Sequence, residues 1–446
     1  MPKQYGIELK MDFQTVKGMR DLLPEDFQLF KHVISVVRQL FDLYNYQEVA
    51  MPIVESFELL AAKSGEEIKD TMYVFKDKAD RKLALRPEMT ASVARLYINE
   101  FMKSAKKPLR LAYIGTCYRY DNPQYGRYRE FRQAGFELIG SNYPEADAEI
   151  LIVCDDLMSR LGFDDFKFKV GHVGILREIL EQEGLGEEIQ NKVFSLIDRD
   201  KLDEAYQLFR KHKLSNDSVE IIKELMHLKG EHLHEIIERA LGLVKNYPKA
   251  QQAIQNIKEI LTLYLSASKI ERIFLDLGFA RGLEYYTGMI FEIIIPNKAI
   301  AVGGGGRYDK LIETFHGDST PAVGCAPGID RIVLTMKEQN LDGSSEGKFE
   351  NKIMLTCIDE NLLPEAIKLL QTLRKNNFNI EFDVGRKKLK KLLSFVASKK
   401  MQYTIIFGPE EMIRNEVIVR NMTTEQQEPI SIDKIVDYLK EKMVKV

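Results

Sequence analysis

Four arginines gather around one polar turn of this sequence, and they are its first candidates for chemistry. The segment 109–140 reads LRLAYIGTCYRYDNPQYGRYREFRQAGFELIG, with Arg119, Arg127, Arg129 and Arg132 in or beside the turn DNPQYGRYR. A guanidinium fork binds two oxygens at once and does not lose its proton, so such a cluster suits a polyphosphate. On composition alone, solvated arginines on a surface hairpin are an equal alternative. A second candidate is the run Gly303, Gly304, Gly305 and Gly306, where missing side chains let a ligand or another backbone approach closely. No Gly-Lys-Ser/Thr follows, so this is not a phosphate-binding P-loop, and GGGGRYD does not fit the dinucleotide fingerprint.

Other chemistries find no footing. There is no HExxH, and His227, His232 and His234 stand in a helical stretch at spacings that fit no common metal motif, so helix-surface histidines are expected. No Gly-x-Ser-x-Gly elbow offers a nucleophilic serine. Cys117, Cys154, Cys325 and Cys357 are widely spaced without a CxxC pair. They read as reduced interior thiols rather than disulfides or metal ligands.

The elements that must position these residues follow from periodicity. Segments 110–119 and 131–139 alternate apolar and polar residues, which predicts two antiparallel strands joined by a long loop carrying the arginines. Further on, IFLDLGFARGLEYYTGMIFEIII at 273–295 and the following AIAV are separated by the hairpin turn PNK, and the second strand is expected to run into the glycines. Between these regions, residues 175–265 are almost wholly of helical pattern and rich in Leu, Glu and Lys, the mark of a helical insertion.

With 446 residues the chain exceeds one ordinary hydrophobic core, so two or three domains are expected. The polar stretch NLDGSSEGKFE at 340–350 predicts a linker, here bounded as 339–350, between a domain at 1–338 and another at 351–446. The second alternates apolar runs (IMLTCI, NIEFDV, YTIIFG, EVIVRNM) with helical patterns (LPEAIKLLQTLRKN, KKLLSFVASKK), as a small α/β domain does. Residues 351–446 carry 17 Lys+Arg against 13 Asp+Glu, whereas residues 1–350 carry 47 against 54. Its densest cluster, Arg386, Lys387, Lys388, Lys390 and Lys391, suits a phosphate backbone, although a solvated helix face is the preferred reading for the cluster alone. Apolar content of 45% is ordinary for a globular protein, and no run suits a membrane span or a secretory signal, so a cytoplasmic location is expected.

Together these segments resemble the class II aminoacyl-tRNA synthetases, and among them the histidyl enzymes. LFDLYNYQEVAMPIVE is similar to motif 1, the dimer-forming segment, CYRYDNPQYGRYREFRQ to motif 2 and VGCAPGIDRIVL to motif 3. Narrower signatures are LRPEMT at 85–90, ARGLEYYTG at 280–288 and KGMRDLLP at 17–24. The resemblance implies an α/β (α+β) fold: a class II antiparallel sheet flanked by helices, with a helical insertion and a C-terminal α/β anticodon-binding domain. It also implies a homodimer formed through motif 1, and activation of histidine with ATP and Mg2+ followed by transfer to tRNA(His).

Residue by residue, it implies that Arg119 holds the α-phosphate and that Arg331 clamps the γ-phosphate while packing on adenine. Phe131 would stack on the other adenine face, and Arg127 would help bind the triphosphate. Arg281 corresponds to the arginine that histidyl enzymes place at the α-phosphate, and it counts with the histidine pocket as well. Glu88, Thr90 and Gln133, with Met89 among them, match the residues around the α-amino group, while Glu137, Tyr285, Tyr286 and Tyr308 match the imidazole side. Packing is the alternative for Tyr285 and Tyr308.

Three positions depart from the family pattern: Asp121 and Asp330 replace glutamates, and Met89 stands where glycine is common. These bear on details of the ATP contacts. A regulatory paralogue that activates ATP phosphoribosyltransferase shares the fold but typically lacks residues such as 351–446, and a non-catalytic RNA-binding module would not need the arginine set.

Overall fold

The computed structural model describes residues 13–62, 65–268, 271–280, 284–296, 298, 300–341 and 352–443. Arg281 lies outside the described residues. The chain divides into two compact units, Met1–Gly343 and Ser344–Val446.

The first unit holds strands β1 (Gln47–Glu48), β2 (Val54–Ser56), β3 (Val74–Lys76), β4 (Lys82–Leu85), β5 (Leu109–Tyr118), β6 (Glu130–Ile139), β7 (Lys167–His172), β8 (Lys229–Gly230), β9 (Ile273–Asp276), β10 (Met289–Ile294), β11 (Gly303–Arg307) and β12 (Ala322–Cys325). Nine of them form one sheet in the order β1-β5-β6-β12-β11-β10-β7-β9-β8. From β5 to β7 every pairing is antiparallel. β5 and β6 pair along their whole length, from Leu109 opposite Ile139 to Tyr118 opposite Glu130, so the loop between them leaves a rigid base.

Helices cover the sheet because their apolar residues recur on one face. Pro24–Leu43 starts with proline at its first turn beside Glu25 and Asp26, and buries Phe30, Val33, Val37, Leu40 and Phe41 at intervals of three and four. It packs beside Ile329–Glu338. Residues 173–267 form the helices Val173–Gln182, Glu187–Asp198, Leu202–Lys211, Asn216–His227, Leu233–Leu243 and Pro248–Ala267, interrupted by the short β8. His227, His232 and His234 are exposed there.

The glycines do not follow a strand; Gly303–Gly306, with Arg307, are the strand. A Cβ at Gly305 would stand 2.1 Å from the Gly324 carbonyl oxygen, and one at Gly306 would stand 2.5 Å from that of Met289. Neighbouring backbones press on both sides, so only glycine lets the three strands meet.

The second unit contains β13 (Lys352–Cys357), β14 (Asn379–Phe382), β15 (Tyr403–Phe407), β16 (Glu416–Asn421) and β17 (Gln427–Ser431), ordered β14-β13-β15-β16-β17. It has its own core, including Leu355, Leu369, Leu373, Ile405, Val417 and Leu439. β17 escaped the sequence reading because QEPIS is a largely exposed edge strand with no apolar alternation. The helix over the basic cluster begins at Leu389, so only Lys390 and Lys391 are helical; Arg386 pairs with Glu360 at 2.6 Å.

Candidate active site

The deepest side of the site is built on β6. Its Glu137 faces Leu111 of β5 on one side and Gly324 of β12 on the other, and is only 1% exposed. A Cβ at Gly324 would fall 1.8 Å from Glu137 Oε2, so the glycine makes room for the carboxylate. The hydroxyl of Tyr308 donates to Oε2, while Thr90 Oγ1 and the Tyr113 hydroxyl donate to Oε1 at 3.0 and 3.2 Å. Burial pushes Glu137 up to about 8, against the pull of the Tyr308 and Thr90 hydrogen bonds and with a further push from nearby Glu88.

Glu88 caps the helix Thr90–Leu96, accepting the backbone N–H of Thr90 at 2.6 Å and of Ala91 at 3.0 Å. Burial raises its pKa, and those two N–H groups and Arg119 oppose the rise. Tyr285 closes the other wall, its ring 4.8 Å from Tyr286 and 5.9 Å from Tyr308. Gln133 accepts the Cys117 thiol at 3.4 Å. Met89, the departure from the family pattern, is buried over Gly115, where a Cβ would stand 2.7 Å from its terminal carbon. Gly115 thus accommodates the larger residue.

The opposite side is cationic. Arg119 donates its Nε to the Pro87 carbonyl at 2.8 Å and lies 5.4 Å from the centre of the Phe131 ring. Arg331, in the first turn of Ile329–Glu338, donates Nε to the Gly126 carbonyl at 3.1 Å and Nη1 to the Ala301 carbonyl at 2.8 Å. Arg127 sits in the loop's turn, exchanging backbone hydrogen bonds with Gln124. All of these side chains line one open cleft. With them stand Glu88, Met89, Thr90, Phe131, Gln133, Glu137, Tyr285, Tyr286 and Tyr308, so every described residue that the family resemblance assigns to the site meets here. The cleft joins a buried acid ringed by phenols to a row of guanidinium groups.

A family description of histidyl-tRNA synthetase matches residues 18–332, and one of an anticodon-binding domain matches residues 351–442. The chain belongs to the histidyl-tRNA synthetase family. It is accordingly an aminoacyl-tRNA synthetase, a ligase of protein biosynthesis. A histidine–tRNA ligase from Methanocaldococcus jannaschii is 39% identical over 428 residues, covering 96% of this chain and 99% of its own. The apo structure of Staphylococcus aureus histidyl-tRNA synthetase is 27% identical with a TM-score of 0.68, covering 96% of this chain and all of that one. A Bacillus halodurans structure described as an ATP phosphoribosyltransferase regulatory subunit/histidyl-tRNA synthetase is 26% identical with a TM-score of 0.73, covering 92% of this chain and all of that one.

In this member of the histidyl-tRNA synthetase family, one of the four clustered arginines plays a different part. Arg129 turns away from the cleft: its guanidinium lies 3.8 Å over the Tyr120 ring and donates to the carbonyls of Asp121 and Lys17. It braces the loop rather than facing a phosphate. Tyr113 was missed by sequence reasoning, although a signal existed. Gly135 lies directly opposite it on β6, and an isolated glycine inside a strand marks a close approach. Asp330 was also undervalued: it is 3% exposed, accepts the Arg132 backbone N–H and pairs with Arg20.

Proposed function

We propose that the cleft forms histidyl-adenylate, with histidine at the Glu137 end and ATP along the arginines. The observation that carries this is the meeting of both sets in one cavity. A carboxylate oxygen of histidine attacks the α-phosphorus as the bond to pyrophosphate breaks. The 3′-terminal ribose hydroxyl of tRNA(His) then takes the acyl group and AMP leaves. Both steps gather negative charge on phosphoryl oxygens, so prepositioned cations lower the barrier more than they bind the ground state.

Arg119 holds the α-phosphate, Arg331 and Arg127 the outer phosphates, and Phe131 one face of adenine. Arg119 already lies against Phe131, and Arg331 is braced by two carbonyls, so little freedom remains to be lost when the nucleotide arrives. Arg281, by its place in ARGLEYYTG, joins them at the α-phosphate. Glu88, Thr90 and Gln133 surround the ammonium, beside Met89. Glu137, Tyr308, Tyr285 and Tyr286 surround the imidazole. A ring lacking nitrogens would leave Glu137 buried without its polar partner, which gives strong rejection. Asp121 and Glu292 also line the cleft, and their carboxylates would offer oxygen donors to a Mg2+ ion arriving with ATP, which would offset phosphate charge.

In the same reading residues 1–338 catalyse, with the insertion about 175–265, residues 339–350 link, and residues 351–446 bind the anticodon. The active species is a cytoplasmic homodimer joined through motif 1. No described helix is long and apolar enough to cross a membrane. Amino-acid-dependent pyrophosphate exchange with each amino acid in turn tests the proposal: histidine alone should support it, and failure with histidine would defeat it. The anticodon-domain match at 351–442 favours this over the regulatory paralogue.

A further inference from the structure

We propose that Arg20, on the amino-terminal strap KGMRDLLP, is a positioning residue for ATP that acts through the motif 2 loop. This rests on the assignment of Arg127 and Arg331 to the nucleotide.

The strap holds the loop at two levels. Gly18, at a φ of +85°, accepts the Arg129 backbone N–H at 2.8 Å, and Lys17 accepts from the Arg129 guanidinium at 3.3 Å. A Cβ at Gly18 would meet Arg129 Cγ at 2.8 Å, so backbone and loop touch only because that position is glycine. Two residues on, the Arg20 guanidinium lies 3.7 Å over the ring of Tyr128 and also pairs with Asp330. Asp330 opens the helix Ile329–Glu338, and its other oxygen takes the Arg132 backbone N–H of β6. Arg20 therefore ties loop, sheet and helix at a single point.

The consequence falls on Arg127. Its neighbour on one side, Gly126, is held through its carbonyl by Arg331 at 3.1 Å. Its neighbour on the other, Tyr128, is held through its ring by Arg20. Arg127 itself is exposed at the cleft, and its own turn is short, closed by the Arg127 N–H to the Gln124 carbonyl at 2.9 Å. An exposed turn held by so few bonds samples many conformations unless its flanks are fixed. The two arginines fix both flanks, so the Arg127 side chain is aimed before ATP arrives. A stack of a guanidinium on a tyrosine ring is strong enough for this when partly shielded from water.

Pyrophosphate exchange measured with ATP and histidine varied separately tests the idea on the full-length protein. Arg20→Ala should raise KM for ATP about tenfold while leaving KM for histidine within about twofold, even where loss of the Asp330 pair lowers the thermal midpoint. Arg20→Lys, which keeps the charge but loses the planar stack, should fall between the two, and Tyr128→Phe should match the parent. An unchanged KM for ATP in Arg20→Ala, or equal rises for both substrates, would overturn the proposal. Should Arg20→Ala fail to fold, Tyr128→Ala leaves the Arg20–Asp330 pair in place and is read by the same criteria. Arg127→Ala serves as the reference. If it leaves KM for ATP unaltered, the nucleotide assignment itself fails; if it raises that KM and the Arg20 and Tyr128 variants do not, only the positioning role falls.

Discussion

Tyr113 reaches Glu137 across the sheet because the residue opposite Tyr113, at position 135, has no side chain. A Cβ there would stand 2.1 Å from Tyr113 Cζ, and the hydroxyl reaches the Glu137 carboxylate at 3.2 Å. Tyr113 is fully buried, so the ring has nowhere else to go.

Gly135→Ala should therefore displace the ring and disturb the acid it touches. Overpacking of this kind costs about 1–3 kcal/mol. Urea unfolding should register that loss, and histidine-dependent exchange should fall with a raised KM for histidine. Parental values for both would contradict the packing described.

Glu137→Gln should stabilise the ligand-free protein while destroying histidine activation. Glu137 is raised from its ordinary 4.5 to about 8 by burial, so between those values the unfolded chain ionises while the native state does not. Its contribution is fully present below pH 4.5 and is lost as pH rises towards 8. At pH 7 the strain removed is at most roughly 3 kcal/mol, reduced by the hydrogen bonds from Tyr308 and Thr90 that glutamine keeps only in part. Chemical denaturation at pH 5, 7 and 8.5 should show the variant's advantage growing with pH; a constant difference would refute the assignment.

His172 gives the opposite slope in acid. Burial pushes it down from 6.5 to about 4, and its Nε2 lies 3.3 Å from Asn256 Oδ1. As pH falls from 6.5 towards 4 the unfolded chain takes a proton that the native state refuses, so stability drops by up to roughly 3 kcal/mol. In His172→Gln that part of the acid limb should flatten, as thermal melts between pH 4 and 7 would reveal.

Arg281→Ala should lower adenylate formation by a factor on the order of a hundred or more, the usual cost of losing a preorganised charge at a developing oxyanion. Circular dichroism should remain native. Exchange kinetics equal to the parent's would remove Arg281 from the mechanism.

Removing residues 340–446 should spare much of the exchange activity and cripple tRNA charging. The second unit has a core of its own, and the first unit's core loses only Leu341, a partly buried residue packed against it. Normal charging by the shortened chain would argue against an anticodon role for residues 351–446.

Several features were legible in the order of residues alone. The paired strands β5 and β6 alternate strictly enough for their pleat to be read, and the helices of 173–267 repeat every three to four residues. Residue types carried less: the clustered guanidinium groups suited phosphates and a solvated hairpin equally, and the carboxylate and phenols of an imidazole pocket followed from the family resemblance alone. Periodicity is a local property, and local sequence carries it.

What the chain order left open was which side of each element faces which neighbour. Arg127 and Arg129 are two residues apart, yet one lines the cleft and the other stacks on Tyr120. The pressure that keeps Gly305 and Gly306 of β11 free of side chains comes from Gly324 and Met289, distant in sequence and adjacent only in the sheet. Glu137 becomes a weak acid, and Arg20 a partner of Asp330, 310 positions away, through contacts that exist only after folding. Desolvation and close approach depend on the whole surroundings of a group, and those surroundings are assembled by the tertiary structure.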